Sequence, residues 1–137
     1  MSPTAPIIGI KETCLYVNDL SLTRNFYEDS IGLSCFSFVA GNHAFFRAGT
    51  SVLLCFDPTA SRDQQRLPPH FGSGQLHFAF EVERGGIDHW KDLLIAKGIT
   101  IEHDHEWPGG FRSIYFRDPD HHCVEIIERG MWEHEGK

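Results

Sequence analysis

The chain resembles itself. Glu12-Thr-Cys-Leu-Tyr-Val17 aligns with His77-Phe-Ala-Phe-Glu-Val82 at an offset of 65, Gly32-Leu33 with Gly98-Ile99 at 66, and Phe46-Arg47 with Phe116-Arg117 at 70. Such a repeat limits the fold strongly, because two similar halves must bury similar faces and meet about a pseudo-twofold axis. The growth of the offset from 66 to 70 puts the extra residues of the second half between His103 and Gly110, where Pro108-Gly109-Gly110 marks a loop. Carried further, the offset of 70 lays Cys55 over Glu125. Glu12, His77, Cys55 and Glu125 then take four equivalent positions around the axis, which is a ligand set.

Each half reads as β-α-β-β-β. In the first, a strand over about 8–17 leads to Asn18-Asp19, able to cap a helix whose inward side is Leu22, Phe26 and Tyr27 and which stops before Gly32. Strands follow near 33–40, 43–48 and 51–56, separated by Gly41-Asn42 and Gly49-Thr50. The second half repeats the order: strand 75–82, helix 86–97 with Ile87, Trp90, Leu93 and Leu94 inward, then strands 100–107, 111–117 and 123–128. Asp118-Pro119-Asp120 sets the last turn. The boundaries are repeat one at about 8–57, a connector at 58–74 rich in Pro, Arg, Gln and Gly, repeat two at about 75–129 and a tail at 130–137. Residues 1–6, with two prolines and no pattern, read as a mobile leader.

Period-two alternation assigns faces. Glu125 lies between Val124 and Ile126 and shares its own face with Cys123 and Ile127, so it points inward and needs a partner. The face away from the helices is expected to hold Glu12, Cys14, Cys55, His77, Ser113, Tyr115, Cys123 and Glu125, a polar-lined concavity suited to a small molecule. Trp107-Pro-Gly-Gly-Phe111 reads as a mobile lip over it or as an ordinary hairpin loop. His103 and His105, and the pair His121-His122, imitate metal motifs, but each lies near a turn or edge and is read as solvent-facing.

At 137 residues, 41% hydrophobic, the chain is one ordinary domain. A formal charge of −7 without a basic stripe gives no support to nucleic-acid binding. No apolar run is long enough for a membrane span and the N-terminus lacks the features of a secretion signal, so a soluble cytoplasmic protein is expected. The four cysteines, without Cys-x-x-Cys spacing, read as reduced thiols.

Two β-α-β-β-β units, strand-borne Glu12, His77 and Glu125, and the Tyr115-Phe-Arg-Asp-Pro-Asp120 turn before a Val-Glu strand resemble the vicinal oxygen chelate superfamily of glyoxalases, fosfomycin- and bleomycin-resistance proteins and extradiol dioxygenases. The likeness covers about residues 8–129. It implies an α+β fold in which the two repeats form a half-open mixed-sheet barrel with the helices outside. It also implies one divalent metal ion (Mn, Ni, Co, Zn or Fe) on Glu12, His77 and Glu125. One His and two carboxylates weaken the dioxygenase reading, since oxygen-activating iron sites typically use two His and one carboxylate. Cys55 stands where glyoxalase I places a further Glu and is left out of the ligand set as a pocket-lining residue. His121 replaces the Gly usual in the family turn.

The implied function is a metal-dependent lyase or isomerase acting on a small oxygen-chelating substrate through a metal-stabilised enediolate or oxyanion. Glu12 or Glu125 would move the proton, with Cys14, Cys55, Trp107, Ser113 and Tyr115 contacting the substrate. The alternatives are a metal-free drug-binding protein with an aromatic cleft at Trp107, Phe111 and Tyr115, a ring-cleaving dioxygenase, or a fosfomycin-type thiol transferase. Open sheets must cover their apolar surface and edges, and single-module relatives commonly exchange units, so a homodimer with metal sites shared between chains is expected.

Overall fold

A computed structural model describes residues 4–134. Both halves fold as expected. The first comprises β1 (Glu12–Tyr16), α1 (Leu20–Asn25) continued by a π-helical turn (Phe26–Ser30), then β2 (Ser34–Val39), β3 (His43–Ala48) and β4 (Ser51–Phe56). After α2 (Pro58–Asp63) the second half runs β5 (His77–Val82), α3 (Ile87–Ala96), β6 (His103–Glu106), β7 (Arg112–Arg117) and β8 (Cys123–Glu128). Each half makes a four-stranded mixed sheet, β1-β4-β3-β2 and β5-β8-β7-β6, with the first and last strands parallel and the rest antiparallel. The two sheets do not close on one another.

The expected mobile leader falls partly on residues 1–3 and the tail partly on 135–137, outside the described residues. The first strand begins four residues later than its apolar run suggests: Ile7, Ile8 and Ile10 are almost fully exposed and residues 6–11 form no strand. Asp19 caps α1, its side chain accepting from the Ser21 and Leu22 amides. The buried side of that helix is Leu20, Thr23 and Tyr27, and Leu22, assigned inward from the sequence, is 54% exposed. The connector contains an unforeseen helix, α2, capped by Asp57 with Pro58 in its first turn.

One hydrophobic cluster unites the halves. It takes Leu15, Phe46, Leu53 and Cys55 from the first sheet and Ile114, Phe116, Val124 and Ile126 from the second, with Ile87 and Leu94 of α3. Tyr27, fully buried, lies between them, its ring centroid 5.6 Å from Phe46, 6.3 Å from Phe78 and 6.5 Å from Phe80. Its hydroxyl donates to Asp118 Oδ2 at 2.7 Å in the β7–β8 turn. The same turn places buried His122 between the halves: the Leu76 amide donates to Nδ1 at 2.9 Å, so Nε2 carries the proton and donates to the Tyr16 carbonyl at 3.0 Å. His121 sits at φ 64°, the left-handed conformation that Gly would adopt more easily. Because both sheets give their apolar faces to this shared core, their polar faces turn away from it.

Candidate metal and substrate site

The chemistry gathers on the outward face of the second sheet. His77 begins β5, and Glu125 on β8 pairs with Ala79, which makes His77 and Glu125 diagonal neighbours across a parallel ladder. His77 Nε2 lies 3.3 Å from Glu125 Oε1. His77 Nδ1 is 2.9 Å from the Cys123 carbonyl, which can only accept, so Nδ1 carries the proton. That bond leaves the Nε2 lone pair free beside a carboxylate oxygen, the tautomer a metal-ligating imidazole requires. Glu125 is 6% exposed, whereas the His77 side chain is half-exposed, so the pair is buried on one side and open on the other.

Tyr115, opposite Glu125 on β7, donates its hydroxyl to Glu125 Oε2 at 3.1 Å. Burial, reinforced by the neighbouring Glu125 charge, pushes its phenol up to about 12, so it remains a donor throughout the physiological range. Oε2 of Glu125 is thus held by a fixed donor, while Oε1 lies beside the bare His77 Nε2 without a donor of its own. Ser113 is buried and its Oγ accepts from the Trp107 indole N–H at 2.8 Å.

Glu12 and Cys14 lie on the corresponding face of the first sheet, Glu12 exposed at the start of β1 and paired with Val52. Cys14 has its thiol pKa raised by partial burial and then by Glu12. The structure brings together His77, Glu125 and Tyr115; it does not bring Glu12 to them within one chain. Among the described residues no three His, Cys, Asp or Glu side chains converge on one point.

Two expectations are corrected. Cys55 does not line this face: it is fully buried in the shared core, where burial raises its thiol pKa far above the ordinary value. The ladders show why. Arg47 pairs with Val52 and Arg117 with Cys123, so the β7–β8 turn holds one more residue than the β3–β4 turn, and Leu54, not Cys55, corresponds to Glu125. One residue of slip reverses a strand's faces. Likewise His122, read from the sequence as solvent-facing, is buried between the halves. Phe111 is 8% exposed, packed with Ile127 and Met131 under the Arg84 guanidinium, 3.9 Å from its ring centroid, and Trp107 packs against the same cluster. That cluster covers the Ile127 end of the face that carries Glu125.

His103 and His105 went unrecognised as neighbours of the site. β6 pairs His103 with Tyr115 and His105 with Ser113, which puts both imidazoles on the face that carries Glu125. The period-two spacing with Ser113 and Tyr115 was the available signal. A cavity of about 610 Å³ lies elsewhere, between the halves, lined by Thr13, Leu53, Phe78, Phe80 and Trp90, and holds none of the candidate residues. No helix among the described residues is long and apolar enough to cross a membrane.

Known proteins resemble this chain in sequence and fold. Residues 10–130 match the model of the glyoxalase-like domain. YraH of Bacillus subtilis is 32% identical over 83% of this chain and 93% of its own length. The metallothiol transferase FosB of Bacillus licheniformis is 27% identical over 88% and 75% respectively. The crystal structure of a lactoylglutathione lyase from Agrobacterium tumefaciens superposes with a TM-score of 0.90 at 37% identity, covering 95% of this chain and 100% of that one.

Proposed function

Because the chain belongs to the glyoxalase-like family of the vicinal oxygen chelate superfamily, we propose that it is a metal-dependent enzyme with lyase or isomerase chemistry on a small oxygen-chelating substrate. The observation that carries the reading is the His77–Glu125 pair, with Nδ1 tied to the Cys123 carbonyl and Nε2 beside Oε1 at 3.3 Å. A neutral imidazole nitrogen and a carboxylate oxygen on a half-open face suit a divalent ion, and the Tyr115 hydroxyl on Oε2 is the outer partner that orients such a ligand. The likeness to a lactoylglutathione lyase supports the reaction class.

Two protein ligands make an incomplete set, and the third is Glu12 of the partner subunit. In a homodimer that apposes the first sheet of one chain with the second of the other, the two polar faces that turn away from the shared core face each other. When bound, the ion supplies Lewis acidity toward a substrate oxygen. This chain's residues do the rest. His77 and Glu125 fix the ion's position, Tyr115 keeps Glu125 from rotating, and the sheet excludes water from one side. Glu125 is held at Oε2 by Tyr115, whereas the Glu12 carboxylate has no hydrogen-bond partner among the described residues, so Glu12 would be the group that takes a proton from a substrate carbon and returns it.

Metal analysis after incubation with Mn²⁺, Ni²⁺, Co²⁺, Zn²⁺ or Fe²⁺ tests this. Wild-type protein should retain one ion per site and His77→Ala almost none. Equal retention in both, or negligible metal in wild type with every ion, would overturn the proposal.

A further inference from the structure

We propose that His103 and His105 form a carboxylate-binding subsite, which gives the ligand of this face an acidic end about two strand spacings, roughly 10 Å, from Glu125. Only that distance rests on the metal-site reading; the subsite itself does not. The two rings stand in register, 5.8 Å apart and 20° from parallel, because they are separated by one residue on a strand. His103 packs 5.9 Å from the Tyr115 ring and His105 meets the Trp107 indole edge-on at 4.4 Å. Their backing is therefore shared with the candidate site.

Neither ring is tied into the fold. His43, His70, His77 and His122 all spend a ring nitrogen on a hydrogen bond inside the fold. Among the described residues no ring nitrogen of His103 or His105 has such a partner. Each imidazole carries at least one N–H in either protonation state, so the pair offers two neighbouring donors to a group with two acceptor oxygens.

The two acidic side chains next to the pair in sequence are each offset by cations. Asp104 lies between the two histidines in sequence but points to the opposite face, held by Lys91 at 2.8 Å and by Arg112 at 2.8 Å and 3.1 Å. Glu102, just before the strand, is neutralised by two hydrogen bonds from Arg117, both 2.8 Å. Among the described residues no third metal-ligating side chain joins the histidines to make a cation site. The Tyr115 ring, whose hydroxyl is held by Glu125, and the Trp107 indole back the two imidazoles with aromatic surface. A carboxylic acid with an apolar body matches that surface and its two donors.

Metal-free protein, titrated with 4-phenylbutyrate, its neutral amide and inorganic phosphate, tests the subsite by histidine ring NMR. Phenylbutyrate should shift the His103 and His105 ring signals, identified by the single Asn variants, and the amide should not. His103→Asn/His105→Asn should weaken phenylbutyrate binding at least tenfold, whereas His77→Ala, which removes the proposed metal ligand, should stay within about twofold of wild type. Equal binding of acid and amide, unchanged affinity in the double variant, or no shift with any probe would overturn the subsite. Tighter binding of phosphate than of phenylbutyrate would overturn its assignment to a carboxylate.

Discussion

Replacing Tyr27 by Phe removes one oxygen atom from the interface between the halves. The Tyr27 ring is fully buried and its hydroxyl is the donor to Asp118 Oδ2, at 2.7 Å, while Oδ1 accepts from the Asp120 and His122 amides. Phe fills the same volume, so no cavity term arises, and the loss is that of a buried hydrogen bond to a charged group, about 2 kcal/mol. For a chain of this size that lowers Tm by roughly 8 °C. The loss should depend on pH with a defined sign. Burial raises the Asp118 pKa above the ordinary carboxylate value, and the Tyr27 bond opposes that rise. A carboxyl with a raised folded-state pKa makes the folded state the tighter proton binder, so stability falls as pH rises from the unfolded to the folded value and is level above it. Deleting the hydroxyl raises the folded value further, so the variant's deficit is complete above that window and shrinks as the carboxyl is protonated. Urea denaturation of both proteins at about pH 8 and about pH 3 measures it, the lower value lying below the carboxyl of the unfolded chain and the higher well above it. A deficit below about 0.5 kcal/mol at the higher pH, or one equal at both, would refute the claim that Tyr27 stabilises a buried charge.

Other consequences follow from the same contacts. His122→Phe strands the Leu76 amide and the Tyr16 carbonyl and should cost about 2–5 kcal/mol in urea denaturation, with the two halves loosening together. Thiol titration of the native protein should count Cys14, Cys35 and Cys123 and miss Cys55 until denaturant is added, since Cys55 alone is fully buried and its thiol pKa is raised furthest by burial. Tyr115→Phe should destabilise the fold by about 1–2 kcal/mol, since it leaves the buried Glu125 carboxylate without its donor, and should lower metal affinity about tenfold because it frees Glu125 to rotate.

Much of the fold was legible because periodicity and punctuation agreed. The strands at His43–Ala48, Ser51–Phe56 and Cys123–Glu128 fall where alternation and Gly-containing turns put them, and the inward side of α3 was read correctly in Ile87 and Leu94. The errors have local causes. Leu22 lost its place to Leu20 because the buried face runs through Leu20, Thr23 and Tyr27 at three- and four-residue spacing, and Leu22 lies off it. Cys55 was set on the wrong face by a single residue in the β7–β8 turn, which similarity between the halves could not register. Asp57-Pro58 was an N-cap followed by a first-turn proline, the start signal of a helix, inside a stretch read only for its loop composition. In the candidate site, His77, Glu125, Tyr115 and Ser113 followed from face assignment alone. His103 and His105 did not, because nearness to an edge outweighed the rule that places them opposite Tyr115 and Ser113.

The central claim is that His77 and Glu125 of one chain are completed by Glu12 of the partner subunit. Glu12→Ala and His77→Ala proteins, each unable to hold metal, are mixed under conditions of proven subunit exchange, and bound metal is measured. A shared site predicts recovery of up to about half the sites of the heterodimer, since one of its two sites has every ligand intact. No recovery, with heterodimers present, would place all three ligands within one chain and contradict the account.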